Sequence, residues 1–186
     1  MKKILLLGDS IRMGYQESVK KELGSSFDCR FSAENGRFAK FTLNELDRIF
    51  EECCKDGNPD LIHWNNGLWD SAIVCREDGI FTDPDEYEKY MRLLIRELRK
   101  RSGKVVFATT TPVRSGSLNQ KLEYIRCLNA RILPVMKSEN IPVNDLYSFV
   151  EPEMETLIGP DCIHLTESGR AKVGKEVADF IRAQFI

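Results

Sequence analysis

Histidine is scarce here: only His63 and His164 occur in 186 residues, so chemistry that needs an imidazole base has two places to go. None of the six cysteines (Cys29, Cys53, Cys54, Cys75, Cys127, Cys162) stands in Cys-x-x-Cys spacing, and two histidines cannot complete the usual tetrahedral zinc sets around them. No metal is expected. Long apolar runs are missing too, since nothing approaches the roughly 18 consecutive residues of a membrane span. Charge of one sign is lacking: 27 basic against 29 acidic residues leave a formal net of -2, too weak a field to gather nucleic acid or anionic membrane. The densest basic stretch, Arg96 to Lys104, is broken by Glu97 and has the spacing of a solvated helix face.

With 42% hydrophobic and 30% charged residues, the composition is that of an ordinary folded domain. A single domain of this length buries roughly 70% of the surface its unfolded chain would expose, so disulfide staples are not required. Lys2 and Lys3 precede an apolar run of only Ile4 to Leu7, shorter than the roughly 7 residues of the shortest export signals. The expectation is a buried strand in a cytoplasmic protein with free thiols. The sequence carries no mark of an oligomeric state.

Short apolar runs alternate with helical periodicity, the pattern of parallel strands joined by crossover helices. The order predicts five βα units, hence an α/β fold with a five-stranded parallel sheet between helical layers. Expected strands are Ile4 to Leu7, Phe27 to Ala33, Leu61 to Trp64, Val105 to Ala108 near the sheet centre, and Ile141 to Leu146. Expected helices run to about Leu23, from Phe41 to Cys54, from Asp83-Pro84 through Leu98, from about Leu118 to Lys137 with Pro134 ending or kinking it, and from Thr166 to the end. No repeat or linker is visible, so residues 1–186 form one domain.

In such sheets ligands bind beyond the carboxyl ends of the strands. Three polar segments fall there: Gly8-Asp9-Ser10, Asn65 to Asp70, and Asp161 to His164. Ser10 sits where a strand turns into a helix, suited to expose its hydroxyl, although a plain helix cap is the commoner use for a serine there. Asp161, three residues before His164, can reach the imidazole Nδ1–H and aim Nε2 at a nucleophile. His63 lies inside an apolar strand pattern and reads as a core histidine.

Two of these segments carry a resemblance. Lys3-Ile4-Leu5-Leu6-Leu7-Gly8-Asp9-Ser10-Ile11 at the start and Asp161-Cys162-Ile163-His164-Leu165-Thr166 near the end resemble the SGNH hydrolase superfamily, the GDSL-type esterases and lipases, whose layout covers essentially the whole chain. The resemblance implies a three-layer α/β/α sandwich of the flavodoxin-like kind, hydrolysis of small O-acyl esters without a cofactor, and a triad of Ser10, Asp161 and His164. It also implies an oxyanion hole from the backbone N–H groups of Ser10 and Gly36. The family's third donor is an asparagine in Gly-x-Asn-Asp; here Gly67-Leu68-Trp69-Asp70 puts Trp69 in its place. Either Trp69 donates its indole N–H, or Asn66 or Asn65 substitutes, or the site works with fewer donors; Asp70 anchors the loop.

Within the family a carbohydrate O-acetyl group is the expected substrate, with Trp64 and Trp69 as sugar-stacking candidates. A lysophospholipase or thioesterase needs an apolar groove, for which Ser71 to Asp83 looks too polar. A catalytically impaired binding module on the same fold is favoured only by Trp69. A nucleotide or flavin binder is disfavoured, because Gly8 to Gly14 lacks both the G-x-G-x-x-G and the Walker spacing.

Overall fold

The computed structural model describes residues 1–74 and 79–186. Cys75 lies outside the described residues, and Cys29, Cys53, Cys54, Cys127 and Cys162 are unpaired. Five strands, β1 (Lys2–Leu7), β2 (Phe27–Phe31), β3 (Leu61–Trp64), β4 (Val105–Ala108) and β5 (Val143–Asn144), form one parallel sheet in the order β2-β1-β3-β4-β5. The helices are α1 (Ser10–Leu23), α2 (Ala39–Cys53), α3 (Pro84–Arg99), α4 (Leu122–Ser138), two short ones, α5 (Leu146–Val150) and α6 (Met154–Leu157), and α7 (Glu167–Ala183). No described helix is long and apolar enough to cross a membrane.

Alternation along each strand sorts the side chains onto two faces. Ile4, Leu6, Val106 and Ala108 pack with α1 and α7 residues such as Tyr15, Val19, Val173 and Val177. Leu5, Leu7, Trp64, Val105 and Phe107 pack with Leu46 and Ile49 of α2, Met91 and Leu94 of α3, and Leu128 and Ile132 of α4. A sheet buried on both faces explains why the strands read as unbroken apolar runs.

β3 and β4 fall on the expected residues, and β4 is flanked by strands on both sides. β2 ends at Phe31 rather than Ala33, because Ser32 turns out of the ladder to hydrogen-bond Glu52. Three other differences have local causes. β5 is two residues long because Asp145 stops it by capping α5, accepting from Ser148 N–H. α4 starts at Leu122 instead of Leu118, whose side chain is exposed and whose neighbours Ser117 and Gln120 bond each other in a turn. Pro134 leaves α4 running to Ser138; it lies on the exposed face, where water can reach the Ala130 carbonyl that lacks an N–H partner.

β1 hands the chain to β2 on one side and β3 continues on the other, so a crevice opens at the carboxyl ends of β1 and β3. The segments after these two strands, together with the loop before α7, form the candidate site.

Candidate active site

Leu7 and Trp64 are paired at the ends of β1 and β3, which sets Gly8 beside Asn65. Gly8 has φ +150, and a Cβ there would stand 1.9 Å from Asn65 Oδ1; glycine is required by both conformation and room. Asp9, fully buried, caps α1 by accepting from Ile11 N–H at 2.9 Å and also accepts from Asn65 Nδ2 at 3.2 Å. Burial raises the Asp9 carboxyl above the usual range, against the opposing pull of these hydrogen bonds and of Arg12.

With Asp9 as the cap, Ser10 is the first helical residue and its hydroxyl is not used for capping. Its Oγ lies 2.9 Å from His164 Nε2. Its N–H, at the positive end of α1, meets no protein acceptor among the described residues.

His164 and Asp161 belong to the turn between α6 and α7. Asp161 Oδ1 accepts from the N–H groups of Ile163 and His164 at 3.0 and 2.9 Å, and Oδ2 lies 2.7 Å from His164 Nδ1. Burial alone would raise this carboxyl; the two backbone donors and the imidazole outweigh it and hold it at about 2. An ionised Asp161 keeps the ring proton on Nδ1, so Nε2 presents its lone pair to Ser10. The turn is fastened by Gly159 N–H to His164 C=O, by Arg114 N–H to Cys162 C=O, and by Thr166, which caps α7 through Gly169 N–H. Cys162 adopts φ +66 at its apex.

His63 is elsewhere. It is fully buried in β3 with Nε2 3.3 Å from the Asn144 amide, and burial holds it at about 4, hence neutral.

The expected oxyanion donors are placed less simply. Gly36 approaches Gly8 so closely that a Cβ would meet the Gly8 carbonyl at 2.8 Å, but its N–H already donates to that carbonyl at 2.9 Å. Its role is close backbone approach, at ordinary φ. Asn66 is fully buried: its amide donates to Arg37 C=O and Thr42 Oγ1 and accepts from Trp64 Nε1, so no N–H remains for a ligand. Trp69 is 40% exposed, and its indole makes no hydrogen bond among the described residues. Asp70 holds the start of α2, both carboxylate oxygens accepting from Ala39 N–H, with burial pushing it up to about 7.

Trp69 lines a cavity of about 480 Å³ with Phe38, Ile73, Val74, Phe81 and Ile163, the last adjacent to His164. Ala72, Ile73, Val74 and Phe81, from a stretch that looked too polar in sequence and whose residues 75–78 lie outside the described residues, contribute an apolar wall. Trp64 is buried against Phe107, ring centroids 5.2 Å apart, and offers no stacking surface.

Sequence reasoning missed Arg12, which is 1% exposed beneath the Gly8 turn. The signal was present: an arginine in the same helical stripe as Ile11, Tyr15 and Val19.

No protein-family model and no curated protein sequence matches the chain. It is similar to solved structures. A lipase/acylhydrolase from Enterococcus faecalis has a TM-score of 0.83 at 20% identity, with 99% of this chain and 97% of that one covered. A member of the lipolytic G-D-S-L family from Veillonella parvula has a TM-score of 0.74 at 18% identity, covering 98% and 99%. Axe2, an acetylxylan esterase from Geobacillus stearothermophilus, has a TM-score of 0.69 at 16% identity, covering 97% and 93%. Across nearly its whole length, the chain has the α/β/α fold of GDSL-type lipases and esterases.

Proposed function

We propose that the chain is a serine ester hydrolase with Ser10 as nucleophile, His164 as general base and acid, and Asp161 orienting the imidazole. The observation that carries this is the continuous relay of Ser10 Oγ, His164 Nε2 and Nδ1, and Asp161 Oδ2 at 2.9 and 2.7 Å, assembled from residues 154 positions apart. Both spacings lie within hydrogen-bond reach for proton transfer.

Ser10 Oγ attacks the acyl carbon as its proton passes to Nε2. The tetrahedral oxyanion faces the Ser10 N–H at the start of α1. Collapse expels the alcohol, which takes the proton from Nε2, and leaves an acyl-serine. Water then attacks the acyl carbon, giving its proton to Nε2, and the acid leaves as Ser10 recovers its hydrogen.

The substrate we propose is a small O-acyl ester. Its non-reacting part occupies the cavity bounded by Trp69, Phe38 and Phe81. A carbohydrate O-acetyl group is the specific substrate favoured, since the exposed Trp69 ring offers a flat face for a sugar and one of the structures sharing this fold is an acetylxylan esterase. The aliphatic part of the wall, Ile73, Val74 and Ile163, favours the longer acyl chain of a lipase-type substrate as the second reading.

The test is hydrolysis of p-nitrophenyl esters from acetate to octanoate and of acetylated xylan, beside Ser10→Ala and His164→Ala. Activity that falls by about 10⁴ or more in both variants is expected, because such groups act as a unit. A folded wild-type protein that neither hydrolyses these esters nor is labelled at Ser10 by a fluorophosphonate makes the chain a binding module.

A further inference from the structure

The guanidinium of Arg12 is sealed from solvent with no carboxylate in contact among the described residues; its acceptors are main-chain carbonyls and one amide. Nη1 donates to Ser32 C=O at 3.0 Å and to Gln16 Oε1, while Nη2 donates to Glu34 C=O at 2.6 Å and to Gly8 C=O at 3.2 Å. One side chain of α1 thus ties the turn before Ser10 to the β2–α2 loop.

Several carbonyls of that loop are held from beneath. Beyond the two taken by Arg12, Gly36 C=O accepts from Thr42 Oγ1 at 2.7 Å and Arg37 C=O accepts from Asn66 Nδ2 at 3.0 Å. In a trans peptide the N–H following each carbonyl points the opposite way. Drawing the carbonyls of Glu34, Gly36 and Arg37 inward turns the following N–H groups away from these anchors; that of Asn35 donates to Glu34 Oε1 at 3.2 Å and that of Arg37 to Asn35 Oδ1 at 2.8 Å, so only Phe38 N–H is left without a protein acceptor among the described residues. Arg37 is held at φ +48, a costly conformation for a bulky residue that persists only where its surroundings over-determine it. Burying a guanidinium is itself unfavourable; the bonds of Nη1 and Nη2 offset this although the buried Nε has no partner among the described residues, and a lysine, with one nitrogen, cannot span three carbonyls.

We propose that Arg12 is a positioning residue for the hydrolysis assigned above: it fixes the β2–α2 loop against the Gly8 turn and so sets the backbone from which Ser10 and its free N–H are presented. The inference rests on the serine-hydrolase reading. Its substrate contacts are indirect, made through the backbone it holds.

The experiment compares wild type, Arg12→Lys, Arg12→Ala and Gln16→Met on p-nitrophenyl acetate, with thermal unfolding measured in parallel. For folded Arg12→Lys the expected result is a fall in kcat of about 10- to 100-fold, below the 10²–10³ typical of deleting an oxyanion donor outright, with KM changed less than about threefold. Guanidinium at millimolar concentration is expected to restore part of the kcat of Arg12→Ala. If the Arg12 variants do not fold, Gln16→Met decides, since it removes one anchor and keeps the arginine; a fall in kcat of about twofold or more is expected.

A folded Arg12→Lys that keeps the wild-type kcat and loses only thermal stability, or that changes KM alone, overturns the proposal, as does an unchanged kcat in Gln16→Met when the others fail to fold. Wild-type protein without esterase activity or fluorophosphonate labelling removes the hydrolase reading itself, and this inference with it.

Discussion

The two halves of the site are built in opposite ways. The Ser10 side is buried: Asp9, Arg12, Asn65 and Asn66 are each at most 4% exposed and are cross-linked to the turn after β1, α1, α2 and the loop after β3. The His164 side is open: the His164 and Asp161 side chains are 49% and 52% exposed and are held by one short turn. Stability and chemistry are therefore separable. Arg12 apart, whose loss should also lower turnover, damage to the buried half should appear as lost folding, and damage to the open half as lost turnover in a protein that still folds.

The sharpest test of that contrast is Asp161→Asn. The amide still fits the turn but no longer fixes the imidazole proton on Nδ1, and comparable substitutions cost about 10⁴ in kcat. Esterase assays should show a loss of that order with a melting temperature within a few degrees of wild type; a large drop in melting temperature instead would break the comparison.

Asn66→Ala should do the reverse. It strands Trp64 Nε1 and the Arg37 carbonyl, buried groups whose loss of a partner costs about 1–3 kcal/mol each. The expected destabilisation is about 3 kcal/mol, or roughly 10 °C for a domain of this size, measured by calorimetry.

Two buried titrating groups sharpen the same point through pH. His63, held near 4, stays neutral in the fold, so its stabilising contribution is complete above pH 6.5 and fades as pH falls toward 4. Asp70, raised to about 7, does the opposite: its contribution is complete below pH 3.8 and fades as pH rises toward 7. Between pH 7 and 4 the melting temperature of His63→Leu should therefore fall less steeply than that of wild type, and that of Asp70→Asn more steeply, by several degrees at the extremes. Parallel curves for all three proteins would count against these assignments.

The smallest effect is expected at the mouth of the site. Trp69→Ala removes cavity wall, so KM should rise about fivefold with kcat changed less than twofold. A loss in kcat on the order of 10² would make the indole N–H an oxyanion donor after all.

The sequence made some of this contrast readable. Buried strands betray themselves as apolar runs, and β3 and β4 were placed by that alone. Ser10, Asp161 and His164 were legible because each follows a strand or precedes a helix in a short polar segment, and the structure brings all three together. The hydrogen-bond economy of the buried half was not legible. That Gly36 N–H returns to Gly8, or that Asn66 serves Trp64, depends on contacts between segments 28 and 2 residues apart whose directions only the folded backbone sets. The short α5 and α6 escaped because helices of five and four residues show too little periodicity to register.

Asp9 rather than Ser10 caps α1, and this makes the Ser10 hydroxyl dispensable to the fold. Deleting its hydroxyl disturbs no helix terminus, so Ser10→Ala should yield an intact, inert receptor that holds an uncleaved ester long enough to be isolated with it, turning the protein into bait for its own substrate.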